Sequence, residues 1–316
     1  DQVTMADAAV QVTDQVGINK VNNLRNITNK DITVDLLKGS KQNIDLIEGY
    51  EAGDGNGDVI LTNTRITVTN AISKSEADEI ISYTNSQVTL EKVTDNISSI
   101  TELNSLENSI VTIQDSVITV TDDASLTDAI AINGFTDGLV TLQKVKDTFS
   151  NISSIDQIPD SKLVMNNAIV HSIDNVDLKK VLTLREFTGT DVIIDEITES
   201  SSALINVIST FDDVILSTAN ITVTDNVNKT EADAIDAYNK TSGVVTLTSI
   251  TDTVLNVTAV ENNTNISLDT STITVTDAAS LNDANTIKEF TNSQVTLNVV
   301  EDTVSNITSI DLIDSN

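Results

Sequence analysis

The chain of 316 residues has no cysteine, no tryptophan, one proline and one histidine, and its aromatics amount to 3%. Without cysteine there is no disulfide framework and no thiolate metal site, and the redox compartment is left open. The histidine, His171, stands in a degenerate strand pattern with no cysteine and no distinctive serine motif to serve. A nucleophile–base pair is therefore not expected, and neither is an enzyme. Positive charge is scarce: 17 Lys+Arg face 48 Asp+Glu, a net charge of −31. So acidic a chain repels nucleic acid and anionic membrane surfaces. No apolar run approaches the ~18 residues of a membrane span, so membrane insertion is not expected. The opening "DQVTMADAAV" carries neither an initiator Met nor a leader, and reads as a mature product or a piece of something longer.

Present instead are Ile, Val and Leu in an ordered recurrence, within a hydrophobic fraction of 39%. That order sets the chain apart from a disordered acidic tail. The stretch "ITVTD" occupies 118–122, 221–225 and 273–277, with "ITVTN" at 66–70. Lined up on this strand, units start at Val10, Ile66, Ile118, Ile169, Ile221 and Ile273. The first interval is longer because it holds the loop "EAGDGNGD" (51–58). Each unit divides again, at a mostly acidic residue closing each strand: Asp14, Gly39, Asn70, Asp95, Asp122, Asp147, Asp174, Glu199, Asp225, Asp252, Asp277 and Asp302. Periods of this size belong to solenoids. The fold expected is a β-solenoid with short helices on one side (an α/β solenoid), right-handed, with parallel strands. It would have about twelve coils of ~26 residues in six ~52-residue repeats, one solenoid over 1–316.

Within a coil, Ile118 and Val120 alternate with Thr119 and Thr121, the period of two that puts apolar residues inside. A helical segment follows, with Ser280/Asp283 in capping-box spacing and Ala284, Ile287 and Phe290 at helical intervals. Ser125/Asp128, Ser73/Glu76 and Thr230/Asp233 repeat the box, while the fourth unit lacks it. The segment after the second strand of each unit is rich in Ser, Thr and Asn, and is expected as a 3₁₀ turn or irregular chain. An aromatic ends the first helix in five units (Tyr83, Phe135, Phe187, Tyr238, Phe290), with Ile27 in its place in the first. It fills the corner from helix to strand or forms an exposed sugar-stacking column, and burial of Tyr83 and Tyr238 discriminates.

"VTLNVVEDTVSNITSI" (295–310) and "ITVTDAASLNDA" (273–284) resemble repeats of secreted bacterial cell-surface proteins, namely S-layer-type proteins and giant repeat adhesins exported by type I systems. The resemblance covers essentially the whole chain and is one of repeat style. It implies an extracellular structural or adhesive layer, often with calcium. "GDGNGD" (53–58) looks like one turn of the glycine/aspartate nonapeptide of that group, which needs consecutive copies where this chain has one.

Two calcium sites follow as candidates. In the insertion, Asp54, Asn56 and Asp58 alternate with Gly55 and Gly57 and offer convergent oxygens. Along the coils, Asp95, Asp122, Asp147, Asp225, Asp252, Asp277 and Asp302 would stand above one another as a ladder. Set against the ladder is a plainer role, in which each Asp bonds backbone amides at the turn into the helix. The outward Thr rows are broken by "VILST" and "IVHSI", which disfavours an ice-binding face. Sequons occur at Asn96, Asn151, Asn220, Asn256, Asn265 and Asn306. Joining Ile310 to Val3 keeps the repeat in phase, which suits either head-to-tail stacking of the chain on itself or a segment of a longer array. The expected role is an extracellular structural repeat unit that partners itself in a surface layer or filament. The alternative is an adhesin module binding cell-surface polysaccharide, or a stalk segment of a larger adhesin.

Overall fold

A computed structural model describes residues 4–50, 57–106, 109–238 and 243–310. Among these residues seventeen strands, all paired in parallel, alternate with twelve helices, a solenoid-like α/β fold. The chain forms two compact units, 1–145 with 154–167 and 146–153 with 168–316.

In the first unit the pairing explains the strand sequences. Strand Val88–Asp95 buries Val88, Leu90 and Val93, so its alternation slips after Leu90. The slip lies where its neighbour breaks: Val88 and Thr89 pair with the short strand Val111–Thr112, whereas Lys92 to Asp95 pair with Val117 to Val120. The Leu90 carbonyl faces that break and accepts a hydrogen bond from the buried Ser116 hydroxyl. Thr64 does the same for the Val34 carbonyl. A buried carbonyl without a partner would cost about 1–3 kcal/mol.

Strand Val117–Ala124 shifts register against strand Val140–Asp147 between Val120 and Asp123, a bulge of one residue that turns Ala124 into the core. The Asp of "ITVTD" therefore lies inside its strand, at the bulge, rather than closing it as the sequence pattern suggests. Asp95 does end its strand.

The second unit repeats both devices. Strand Val245–Asp252 pairs first with Ile266–Ser267 and then with Thr272–Ala279. Ser271 donates to the Leu247 carbonyl at the break, and bulges fall at Val223/Asn226 and Val275/Ala278.

The helices are short and depend on their caps and one buried pair. Ser73/Glu76, Ser125/Asp128 and Ser280/Asp283 form the capping boxes that their spacing predicts. The fourth box differs from expectation: Asn228 and Glu231 form it, because the helix begins at Lys229 and Thr230 already lies in its first turn. In the unit without a box, Asp177 accepts from the Lys180 amide and opens helix Leu178–Phe187.

The Ser/Thr/Asn-rich segments are α-helices as well, not 3₁₀ or irregular: Ile97–Ser105, Phe149–Asp156, Ser201–Thr210 and Val254–Glu261. Each buries an i, i+3 apolar pair, such as Ile100/Leu103 or Val257/Val260. Burying two such side chains stabilises by roughly 3–6 kcal/mol, enough to override weak helix propensity.

The aromatic column is not the core of its corner. Tyr83, Phe135, Phe187 and Phe290 are half-buried, and Tyr238 is 46% exposed. The buried residue is the threonine that follows: Thr84, Thr136, Thr188 and Thr291. Its hydroxyl donates to a carbonyl one strand away (Thr84 to Thr64, Thr136 to Ser116, Thr188 to Ala168, Thr291 to Ser271) and accepts the amide two residues on. Thr28 serves the first corner in the same way.

Candidate functional site

An α-helix opens with amides that have no intrahelical partner. In most of these helices the N-cap side chain takes the N3 amide, as Ser73 takes that of Glu76, whereas Gly17 and Ser200 make no such bond. In nine of them the N1 amide is met from elsewhere, by an acidic or amide side chain in or just beyond the next long strand. In the first unit the amides of Lys41, Lys74 and Ile97 donate to Asn70 (2.8 Å), Asp95 (2.8 Å) and Asp122 (3.0 Å). In the second, Phe149, Leu178 and Ser201 donate to Asp174 (2.7 Å), Glu199 (3.2 Å) and Asp225 (2.7 Å). Lys229, Val254 and Leu281 donate to Asp252 (2.9 Å), Asp277 (2.8 Å) and Asp302 (3.0 Å). In these nine helices the recurrent side-chain oxygen, a carboxylate at all but Asn70, thus ties the helix to the following coil, where it meets the positive end of the helix dipole. The plainer role weighed from sequence, an acid bonding amides at its own turn into the helix, is seen at Asp95, Asp147, Asp252 and Asp302. What it did not include is the second bond, to the N1 amide of the helix in the preceding coil.

In the second strand of a unit the other carboxylate oxygen is engaged too. Asp147, Asp252 and Asp302 each accept the next residue's amide (2.8, 2.8 and 2.7 Å). They also accept the side-chain nitrogen of the residue four on: Asn151 (2.9 Å), Asn256 (2.8 Å) and Asn306 (2.8 Å). The motif Asp-Thr-x-x-Asn accounts for three of the sequons by geometry. Burial alone would push the Asp252 carboxyl up; the Lys229 amide, the Asn256 side chain and the Thr253 amide outweigh it and hold it below the usual range. The Leu281 and Thr303 amides, with Asn306, hold Asp302 down likewise.

Of the ladder residues, Asp95, Asp122, Asp147, Asp225, Asp252 and Asp277 lie on strands and Asp302 lies just beyond strand Val295–Val300; all but Asp147 accept the amides given above from a preceding helix, and Asp147 accepts from Thr148 and Asn151. Among the described residues no three His, Cys, Asp or Glu side chains converge as a metal-binding group. Asp54 and Asn56 of the insertion lie outside the described residues. Asp58 is described, and its Oδ1 is buried with no hydrogen-bond partner among them. Beside it the Gly57 carbonyl accepts from Nε of buried Arg25 (3.2 Å), whose guanidinium lies 3.9 Å over the Tyr50 ring. The Gly57 carbonyl is thus engaged by a guanidinium. A Cβ at Gly57 would lie 1.7 Å from the Lys30 carbonyl oxygen, so this limb runs too close to Lys30 for another residue.

Two further clusters bear on ligand binding. Lys41 sits 2.7 Å from both Asp45 and Glu79, and the Tyr83 hydroxyl donates to the same two carboxylates (3.0 and 3.1 Å). Burial first, and then those carboxylates, push the Tyr83 phenol well above its ordinary range. Its polar end is thereby tied down, unlike a free stacking platform. Tyr238 is more open, beside a shallow cavity of about 210 Å³ lined with Ile208, Val214, Ile215 and Leu216. His171 places Nε2 2.6 Å from Asp195 on the neighbouring strand. Thr67, Thr89 and Thr112 do form a row, as do Thr222, Thr246 and Ser267, but the corresponding row in between reads His171, Ile193 and Ile215.

No family model, curated protein or solved structure matches the chain.

Proposed function

We propose that the chain is an extracellular structural protein, a right-handed solenoid of about twelve ~26-residue coils in six repeats. It associates with its own kind, head-to-tail or laterally, in a surface layer or filament, with calcium screening its acidity and binding at the insertion.

One observation carries this reading. The acidic groups are spread from coil to coil and committed to helix amides, as at Asp95, Asp122, Asp225, Asp252, Asp277 and Asp302, and among the described residues no three of them converge on one site.

Sedimentation velocity from micromolar to millimolar protein in ~0.15 M salt tests it. Concentration-dependent association supports the reading, and a monomer throughout refutes it.

Open Tyr238 favours one second reading, an adhesin module that stacks a sugar ring there. Binding to a polysaccharide panel that is lost in Tyr238→Ala would support it; a Tyr238→Ala variant that binds as the parent does would exclude it.

A further inference from the structure

The chain writes a block of three repeats twice. "VNNLRNIT" (21–28) returns as "VLTLREFT" (181–188), "KSEAD" (74–78) as "KTEAD" (229–233), and "ITVTDDASLTDA" (118–129) as "ITVTDAASLNDA" (273–284). The three segments of each block fall in one compact unit. Within a block the first repeat departs from the other two at its first helix.

Helices this short have little stability of their own and depend on their ends. In the second and third repeats of each block a capping box fixes the start, at Ser73/Glu76, Ser125/Asp128, Asn228/Glu231 and Ser280/Asp283. The leading helices have no box. Gly17 offers helix Ile18–Arg25 no side chain. At helix Leu178–Phe187 the N-cap Asp177 is followed at N3 by Lys180, whose side chain has no acceptor to return the bond. Both carry an arginine in the last turn instead, where the boxed helices have Ile81, Asn133, Asp236 and Lys288 at the same distance from the N-cap.

Each arginine reaches the next coil in the same way. The Arg25 guanidinium lies 3.9 Å over the Tyr50 ring, and that of Arg185 lies 4.0 Å over the Phe211 ring. Tyr50 and Phe211 stand just beyond helices Lys41–Glu48 and Ser201–Thr210, and their amides return to the Ile47 and Val207 carbonyls. Nε of Arg25 donates to the Gly57 carbonyl at 3.2 Å. Nε of Arg185 donates to the Asp213 carboxylate at 2.9 and 3.0 Å, which Nη2 also meets at 2.9 Å. Asp213 is itself tied to the sheet, since its carbonyl accepts the Val192 amide at 2.8 Å. These two are among only three arginines in the chain, so the residue type is not incidental.

We infer that Arg25 and Arg185 are clamps that take the place of the capping box in the leading helix of each three-repeat block. The charge meets the negative end of its own helix dipole. The planar guanidinium covers the ring, and its in-plane Nε–H bonds the segment that runs on to the next short strand. The lock therefore sits at the C-terminal end of the helix and ties it to the following coil, whereas a box acts within one helix. A lysine supplies the charge but not a stack with an in-plane bond.

The second block gives the test, in the full-length chain. Hydrogen exchange is read at the Val181 and Leu184 amides in the parent, and in a background where Asp177→Ser with Lys180→Glu copies Ser73/Glu76. Each variant is compared with its own background. Arg185→Ala is expected to quicken exchange about tenfold in the parent and less than about twofold in the boxed background. Phe211→Leu, which keeps an apolar side chain and the Asp213 pair, should quicken it in the parent too, and carries the test if Arg185→Ala does not fold. Arg185→Lys should behave as Arg185→Ala does. Parent-like exchange in Arg185→Ala or in Phe211→Leu overturns the clamp. Equal quickening in both backgrounds overturns its equivalence to a box, and parent-like exchange in Arg185→Lys overturns the stack in favour of charge alone.

Discussion

Replacing Asp252 with alanine removes one acceptor from three donors at once: the Lys229 amide at 2.9 Å, the Thr253 amide at 2.8 Å and the Asn256 side chain at 2.8 Å. All three contacts are part-buried, so water recovers some of each. An N-cap deletion costs about 0.5–2 kcal/mol, and a charged acceptor lost from a buried amide about 1.5–3. The expected loss is about 2–3 kcal/mol. Asp252→Asn keeps one acceptor oxygen and is expected to lose about half as much. Asn70 shows that an amide can fill this place, since its Oδ1 already accepts from the Lys41 amide. Urea unfolding followed by circular dichroism measures the loss, and hydrogen exchange at the Lys229 amide locates it. Exchange at that amide should quicken in both variants, most in the alanine. Unchanged exchange at Lys229, with an unchanged unfolding midpoint, would refute the carboxylate's part in pinning helix Lys229–Asp236 to the following strand.

The remaining predictions follow from the same contacts. Thr136→Val keeps the shape but removes the hydroxyl that donates to Ser116 and accepts from the Gly138 amide, and should cost about 1–3 kcal/mol in urea unfolding. Phe135→Ala, its half-buried neighbour, gives the comparison: a phenylalanine filling the corner would cost about 3–5 kcal/mol, and less than the Thr136 loss is expected. Ile132→Ala opens a cavity at a fully buried site and should cost about 2–5 kcal/mol. Stability should pass through a maximum at mildly acid pH. Burial holds the carboxyls of Glu48, Asp156 and Glu261 above their usual range, so the folded state gains as pH falls toward their titration. Asp252 and Asp302 are held below theirs, so their contribution is complete above about pH 4 and is lost as pH falls through their folded values. Unfolding midpoints across pH 3–8 check the maximum; a monotonic rise toward pH 8 would contradict it.

The parallel strand–helix alternation was legible because a period of two and a recurring "ITVTD" need little tertiary information. Three of the four capping boxes were equally plain, since a serine and an acid three apart suffice. Thr230/Asp233 misled because Asn228/Glu231 offers the same spacing two residues earlier, and only the end of strand Asn220–Val227 selects between them. The helices after the second strands were missed because their Ser/Thr/Asn content lowers propensity, while one buried i, i+3 pair decides the outcome. The bulge at Asp122 leaves no local mark in "TVTDDA" and shows only in the pairing with strand Val140–Asp147. The buried threonines had a readable signal, a Thr directly after each aromatic at Tyr83, Phe135, Phe187 and Phe290, eclipsed by the larger side chain. The recurrence of the carboxylates was visible, but their donors lie 21–29 residues away on another element, which no local pattern specifies.

Negative-stain electron microscopy of the purified chain, in millimolar calcium and again after chelation, tests the structural role most directly. Ordered filaments or sheets are expected in calcium, dispersing on chelation if the insertion binds the ion and persisting if screening by salt suffices. Separate particles at every protein concentration, in both conditions, would contradict self-assembly.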